Sequence, residues 1–247
     1  MDFVECPPGG FAMGSIAPSG FYGIADGGEL GRNRDEVLHS VILSKPFYIG
    51  KFPVTQKQYE SIMGTNPSCF KGESNPVDCV SWNEARAFLV KINAKYQNDL
   101  PKGYKFDLPT ESQWEYACRA GTITALNNGT DLTSEMYCNN LDEVAWYYRN
   151  SGNKTHPVGQ KKPNAWGIYD MHGNVWEWCY DMYDKYPNPL MTVTDPIGFC
   201  NILKRVLRGG SWENLASMCR SACRNSNAPD YGFNSTGFRL AMVSKVR

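Results

Sequence analysis

Apolar residues recur at helical spacing most clearly at Ala85, Phe88, Leu89 and Ile92, which predicts a helix with one buried face running to about Tyr96. Its start is marked by Ser81 and Glu84, a capping box in which a hydroxyl and a longer side chain satisfy orphan amides reciprocally. Thr55 with Gln58 and Thr110 with Gln113 repeat that signature. The first of these two helices is short and ends near Gly64. The second carries Trp114 and Ala117 toward a core and stops at Ala120-Gly121. Short, dispersed strands are expected over residues 41–43, 47–49, 175–179, 206–211 and 238–243. Residues 7–34, 122–142 and 183–200 are rich in Gly, Pro and Asn and carry no period, so irregular chain is expected there. No internal repeat appears and no linker separates two cores. The expectation is one α+β domain spanning residues 1–247, with short strands, two to three helices and much irregular chain.

The last two predicted strands enclose an insert, residues 213–236, between Leu207-Arg208-Gly209-Gly210-Ser211-Trp212 and Gly237-Phe238-Arg239-Leu240-Ala241. The insert is rich in Asn, Ser and small residues without apolar periodicity. A side-chain-rich loop pinned at both ends by a scaffold is where binding or catalysis usually sits.

Lys plus Arg equals Asp plus Glu at 25 each, so no net field favours nucleic acid or an anionic membrane. No apolar run approaches the 18 or so residues of a membrane span, and Met1-Asp2-Phe3 does not open a signal peptide. The nine cysteines form no CxxC pair, and His39, His156 and His172 are scattered, which argues against a zinc finger or a three-histidine iron site. Buried free thiols are the simpler reading; one or two disulfides would require export. Arg208, Arg220, Arg224 and Arg239 read as forks tying loops to the scaffold, with Glu115 expected to pair with an arginine such as Arg239.

Several segments resemble, in order and over nearly the whole chain, the formylglycine-generating enzyme family. They include Gly9-Gly10-Phe11-Ala12-Met13-Gly14-Ser15, Pro76-Val77-Asp78-Cys79-Val80-Ser81-Trp82, Leu108-Pro109-Thr110-Glu111-Ser112-Gln113-Trp114-Glu115-Tyr116-Ala117, Gly167-Ile168-Tyr169-Asp170-Met171-His172-Gly173-Asn174-Val175-Trp176-Glu177-Trp178 and the two clamps. The resemblance implies a C-type-lectin-like fold elaborated as in those enzymes. It also implies a calcium site at Asp170, Gly173, Val175 and Glu177, whose hard oxygens suit that ion, with a carboxylate capping local amides as the alternative. No other cofactor is required. Family enzymes oxidise a substrate cysteine with two copper-binding cysteines five residues apart. Counting back from Pro229 puts Ala216 and Ser221 at those positions, and neither supplies a thiolate. Cys219 and Cys223 lie nearby but out of register, so the expectation is no enzyme.

The chain also resembles the variable proteins of diversity-generating retroelements, which end in a variable region bounded by a Gly-Gly-Ser-Trp-like strand and a terminal Gly-Phe-Arg. That resemblance implies a binding surface within residues 207–241 made by Asn214, Leu215, Ser217, Cys223, Asn225, Ser226, Asn227, Tyr231, Phe233, Asn234 and Ser235. These are Asn together with residues reachable from an Asn codon by changing adenines. Glu213 and Met218 are not reachable and are expected to be fixed; Arg220, Ala222, Arg224 and Pro229 are expected to be scaffold. Aromatic and aliphatic anchors among Asn and Ser have the composition of antibody-like paratopes. The expected partner is an unidentified protein or surface ligand, bound by a monomer. Function alone points to the cell surface, with a cytoplasmic location as the alternative. A copper or thiol oxidase and a pseudoenzyme with one fixed partner are the competing functions.

Overall fold

A computed structural model describes residues 1–17, 28–187, 191–198 and 203–245. All three capping boxes form. Helix α1 (Gln56–Met63) is capped by Thr55 and ends at Gly64 in the left-handed region, α2 (Trp82–Tyr96) is capped by Ser81, and α3 (Glu111–Arg119) is capped by Thr110. A fourth, α4 (Asn139–Asp142), is a single turn without a side-chain cap. It falls in a stretch expected to be irregular. Four residues are too few to show a helical period.

The strands are short and form several small sheets. One has the order β1 (Phe3–Cys6), β4 (Phe47–Gly50), β13 (Ala241–Ser244), β5 (Tyr104–Asp107). A second has the order β11 (Arg224–Asn227), β10 (Arg205–Arg208), β8 (Trp176–Met182), β12 (Thr236–Gly237). A third joins β2 (Gly9–Met13), β3 (His39–Leu43) and β9 (Thr192–Thr194), and a two-residue pair links β6 (Ala145–Trp146) to β7 (His172–Gly173). Of the predicted strand at residues 238–243 only Ala241, Met242 and Val243 are strand, in β13; Phe238, Arg239 and Leu240 connect it to β12. Strands β2 and β9 occupy segments expected to be irregular. Parts of those segments, with Cys200, lie outside the described residues.

Alternation along the strands explains how one set of short sheets serves two hydrophobic clusters. Trp178, Leu207 and Met242 face Val80, Phe88, Leu89, Ile92 and Phe238 on the side covered by α1 and α2. Their neighbours Cys179, Val206, Ala241 and Val243 face Trp114, Ala117, Met13 and Phe47 on the side covered by α3 and β2. Both faces of β8 are covered, so Trp176, Trp178 and Cys179 are all buried, and Glu177 between them is buried in its ion pair with Arg239. A third cluster, including Leu126, Leu132, Leu141 and Tyr147, closes under Ala216 and Cys219 of the insert. The protein is thus a mixed α+β structure.

Candidate binding surface

The frame of the insert is built from buried arginine–carboxylate pairs. Arg208, at the end of β10, is fully buried; it forks onto Glu115 and Glu111 and donates to the carbonyls of Ser221 and Ala222 at 2.7 and 3.2 Å. Arg224 grips both oxygens of Glu111 at 2.7 Å each. Burial alone would push the Glu111 carboxyl up, but the Arg224 and Arg208 guanidiniums outweigh it and hold it below the usual range. Arg220 clasps Glu36 at 2.6 and 2.8 Å and Glu29 at 2.5 Å. Arg239 spans both oxygens of Glu177 at 2.6 and 2.7 Å. The four arginines are therefore internal ties, as their sequence setting indicates. Glu115, however, pairs with Arg208 and Arg119 rather than with Arg239. From its capped helix it faces β10, whereas Arg239 lies against β8.

Two glycines let the insert leave this frame. Gly210 has φ +74°, and a Cβ there would meet the Cys219 sulfur at 2.5 Å; Gly209 has φ +96° with Trp114 at 3.1 Å. Only glycine fits both the backbone and the space.

The insert is more regular than its composition indicates. Residues 216–219 form a 3₁₀ turn, and residues 224–227 form the edge strand β11, antiparallel to β10 with Asn225 opposite Leu207, Ser226 opposite Val206 and Asn227 opposite Arg205. Asn225, Ser226 and Asn227 are half-buried, as are Asn214, Leu215, Ser217 and Asn234. Tyr231 and Phe233 are 56% and 46% exposed and stack on each other, with centroids 6.2 Å apart and planes at 14°. Two expected contact residues do not belong to the surface. Cys223 is fully buried beside Val80, Trp178 and Phe238, and Ser235 is 4% exposed with its carbonyl accepting from the Trp176 amide at 2.8 Å. Glu213 is exposed and Met218 half-buried; of the expected scaffold residues Arg220, Ala222 and Arg224 are buried and Pro229 is half-buried.

The face also includes residues outside the insert. The Tyr148 amide donates to the Asn214 carbonyl at 3.0 Å and the Ser217 amide to the Glu135 carbonyl at 2.9 Å, which brings exposed Tyr148, Met136 and Tyr137 near the 3₁₀ turn. At its base, Trp212 packs edge-on against Phe70 and donates its indole N–H to the Asn234 carbonyl at 3.0 Å.

The positions implied to be catalytic are closed. Ala216 and Ser221 are both fully buried, the Ser221 hydroxyl lying 3.6 Å from the Cys118 sulfur. Burial also pushes the Cys219 thiol up, and that of Cys223 to about 12. Both stay neutral, and a neutral thiol neither attacks nor binds copper well.

The implied calcium set does not fit an ion. Both oxygens of Glu177 are engaged by Arg239, one of them also by the Trp114 indole at 2.6 Å. Asp170 accepts from the Gly159 amide at 2.7 Å, and burial lifts its carboxyl to about 6. Gly173 donates its amide to the Gly209 carbonyl, and Val175 is buried against Gly237. Among the described residues, no group of three or more His, Cys, Asp or Glu side chains is arranged to hold a metal. None of their helices is long and apolar enough to cross a membrane.

These features define a lectin-like α+β scaffold with a framed surface insert. The sulfatase-modifying factor enzyme 1-like domain model matches residues 1–243, and the chain belongs to that family. It is 34% identical to the chaperone protein LppX of Paenibacillus barcinonensis, over 76% of this chain and 77% of that one. It is 30% identical to the mouse formylglycine-generating enzyme, over 83% of this chain but 53% of the enzyme, so the chain spans about half of that relative's length. Among solved structures, Treponema denticola variable protein 1 matches with a TM-score of 0.78 and 30% identity, covering 97% of this chain and 94% of that one. PvdO from Pseudomonas aeruginosa matches with a TM-score of 0.79 and 29% identity, covering 97% and 93%. Both neighbours share the fold.

Proposed function

We propose that this protein is a non-catalytic ligand-binding protein that displays a diversified surface, formed by the insert, on a rigid lectin-like frame. The observation that carries this reading is the Tyr231–Phe233 stack, two large aromatic faces left to solvent among Asn and Ser while the arginines that frame the insert are buried. Aromatic anchors with two torsions each, ringed by adaptable amides, give contact area at low entropic cost. Likeness to a protein named as variable supports the same reading. The ligand is a protein or surface component, and the cell surface is where such display is useful.

Diversification is tested in the gene. An imperfect repeat of the insert-coding segment, differing at adenines and close to a reverse transcriptase, is expected; variation should fall on Asn214, Leu215, Ser217, Asn225, Ser226, Asn227, Tyr231, Phe233 and Asn234 and spare Cys223 and Ser235. An insert identical in every isolate would favour the pseudoenzyme reading, which kinship with a protein named a chaperone supports. The oxidase reading rests on kinship with formylglycine-generating enzymes. It requires copper-dependent oxygen consumption with a cysteine peptide, abolished by Cys223→Ser.

Display also makes a stability prediction. Replacing Tyr231 and Phe233 together with Ser should change the unfolding free energy by no more than about 0.5 kcal/mol, the usual range for surface positions. A loss of several times that in urea denaturation would show that the pair packs the fold instead of facing a ligand.

A further inference from the structure

Outside the insert's own residues, one carboxylate gathers two thiol-bearing positions ten apart in sequence. Asp78 Oδ1 accepts the Cys69 amide at 2.6 Å and the Cys79 thiol at 3.2 Å. The Cys69 amide and the Cys79 thiol thus converge on one carboxylate oxygen. Cys69 is exposed and Cys79 half-buried. The Cys79 backbone is held at φ +59°, a left-handed conformation unusual for a residue with a side chain and a mark of strain at functional positions. Its amide donates to the Phe233 carbonyl at 2.8 Å, so this corner is the floor beneath the exposed aromatic pair. Asp78 itself is fully buried, and its second oxygen, Oδ2, has no hydrogen-bond partner among the described residues.

We propose that Cys69 and Cys79 are a redox pair that closes to an intramolecular disulfide, with Asp78 as the residue that takes the Cys79 proton. The Cys69 sulfur stands three bonds from an amide that shares Asp78 Oδ1 with the Cys79 thiol, and its exposure leaves its first torsion free to bring the sulfurs together. Among the described residues the six other cysteines are buried, so Cys69 and Cys79 are the described thiols an oxidant meets.

The oxidant is a small-molecule disulfide or the disulfide of a thiol oxidoreductase. The Cys69 thiolate attacks one of its sulfurs, forming a mixed disulfide and releasing one thiolate. The Cys79 sulfur then attacks the Cys69 sulfur, passes its proton to Asp78 and expels the second thiolate, which takes up a proton from water. Two protein thiols are oxidised and one external disulfide is reduced to two thiols. Burial and the neighbouring carboxylate push the Cys79 thiol up to about 12, so the attack needs a base beside it. Burial also raises the Asp78 carboxyl, which makes its carboxylate a better proton acceptor.

The experiment uses the full chain with oxidised glutathione, followed by alkylation, digestion and mass spectrometry. A cross-linked peptide joining Cys69 to Cys79 is expected, together with a melting temperature higher by about 5 °C that reverts with dithiothreitol and does not appear in Cys69→Ser or Cys79→Ser. Persistent glutathione on Cys69, or chains joined to each other through Cys69, would overturn the pairing. Asp78→Asn keeps an oxygen for the Cys69 amide but should slow expulsion of glutathione from Cys69 about a hundredfold. An unchanged rate would overturn the proton-accepting role of Asp78 and leave the pairing to the cross-link.

Discussion

Replacing Arg208 with Met should cost about 3 kcal/mol of folding stability, the lower end of what removing one partner of a buried ion pair costs. The lower end applies because neither carboxylate is left without a cation. Glu115 keeps Arg119 at 2.9 Å, and Glu111 keeps both contacts to Arg224. What is lost outright is the pair of donors to the Ser221 and Ala222 carbonyls, which sit in the interior with their hydrogen-bonding needs unmet. Urea denaturation measures the cost. Arg208→Lys should fall in between, since an ammonium restores charge without the fork that reaches both glutamates and both carbonyls. If the Met variant were as stable as the parent, the frame would not depend on this tie. A drop of about 3 kcal/mol is a large part of the roughly 5–15 kcal/mol that holds an ordinary domain together.

The second large effect is a pH dependence hidden by compensation. His172 is fully buried, accepts the Asn127 amide on Nε2 at 3.0 Å and has Nδ1 2.6 Å from the Cys219 carbonyl, so it sits there as the neutral ring. Burial first of all depresses it from 6.5 to about 4. The unfolded chain therefore takes up a proton that the folded one refuses, and stability present above pH 6.5 is lost as pH falls toward 4. The shift corresponds to about 3 kcal/mol. Asp170 acts in the opposite sense. Its carboxyl is raised by burial from 3.8 to about 6, so the folded chain takes up a proton first and gains stability as pH falls through nearly the same window. The two roughly cancel in the parent, giving a flat profile between pH 6.5 and 4.5.

Asp170→Asn removes the opposing group while keeping an oxygen for the Gly159 amide. That variant should lose about 3 kcal/mol between pH 6.5 and 4, read from urea midpoints at pH 7, 5.5 and 4.5. A variant profile as flat as the parent's would mean that His172 is not the buried neutral ring described. Below pH 4.5 both proteins should destabilise further, because the lowered carboxyls of Glu111 and Glu36 contribute stability only above their unfolded values.

The helices were legible because their signals are local. A capping box sits within four residues, and all three formed where Thr55, Ser81 and Thr110 indicated. Strands β1, β2, β5, β9 and β11 were not legible, because each is only three to five residues long and owes its extension to a partner elsewhere in the chain. β11 is the clearest case. Arg-Asn-Ser-Asn is poor strand composition, and it extends only because Leu207 and Val206 of β10 offer it a ladder. The same non-locality explains the two misassigned contact residues. Cys223 and Ser235 fit the codon argument, but nothing in the sequence shows that the chain dives into the core just before Arg224 and just before β12. Glu115 was assigned to Arg239 for a related reason, since its partner Arg208 is fixed by strand order; its other partner, Arg119, stands four residues on in the same helix.

The ties at Trp212, Arg220 and Arg224 have a consequence for how the insert meets a ligand. They divide residues 213–236 into spans of a few residues, each fastened at its ends, so the face is several short loops rather than one long one. A long free loop would have to surrender its conformational freedom at the moment of association, whereas here most of that freedom is already gone before any ligand arrives. Each span can accept new side chains without passing strain to the next, and a new combination starts from an ordered backbone.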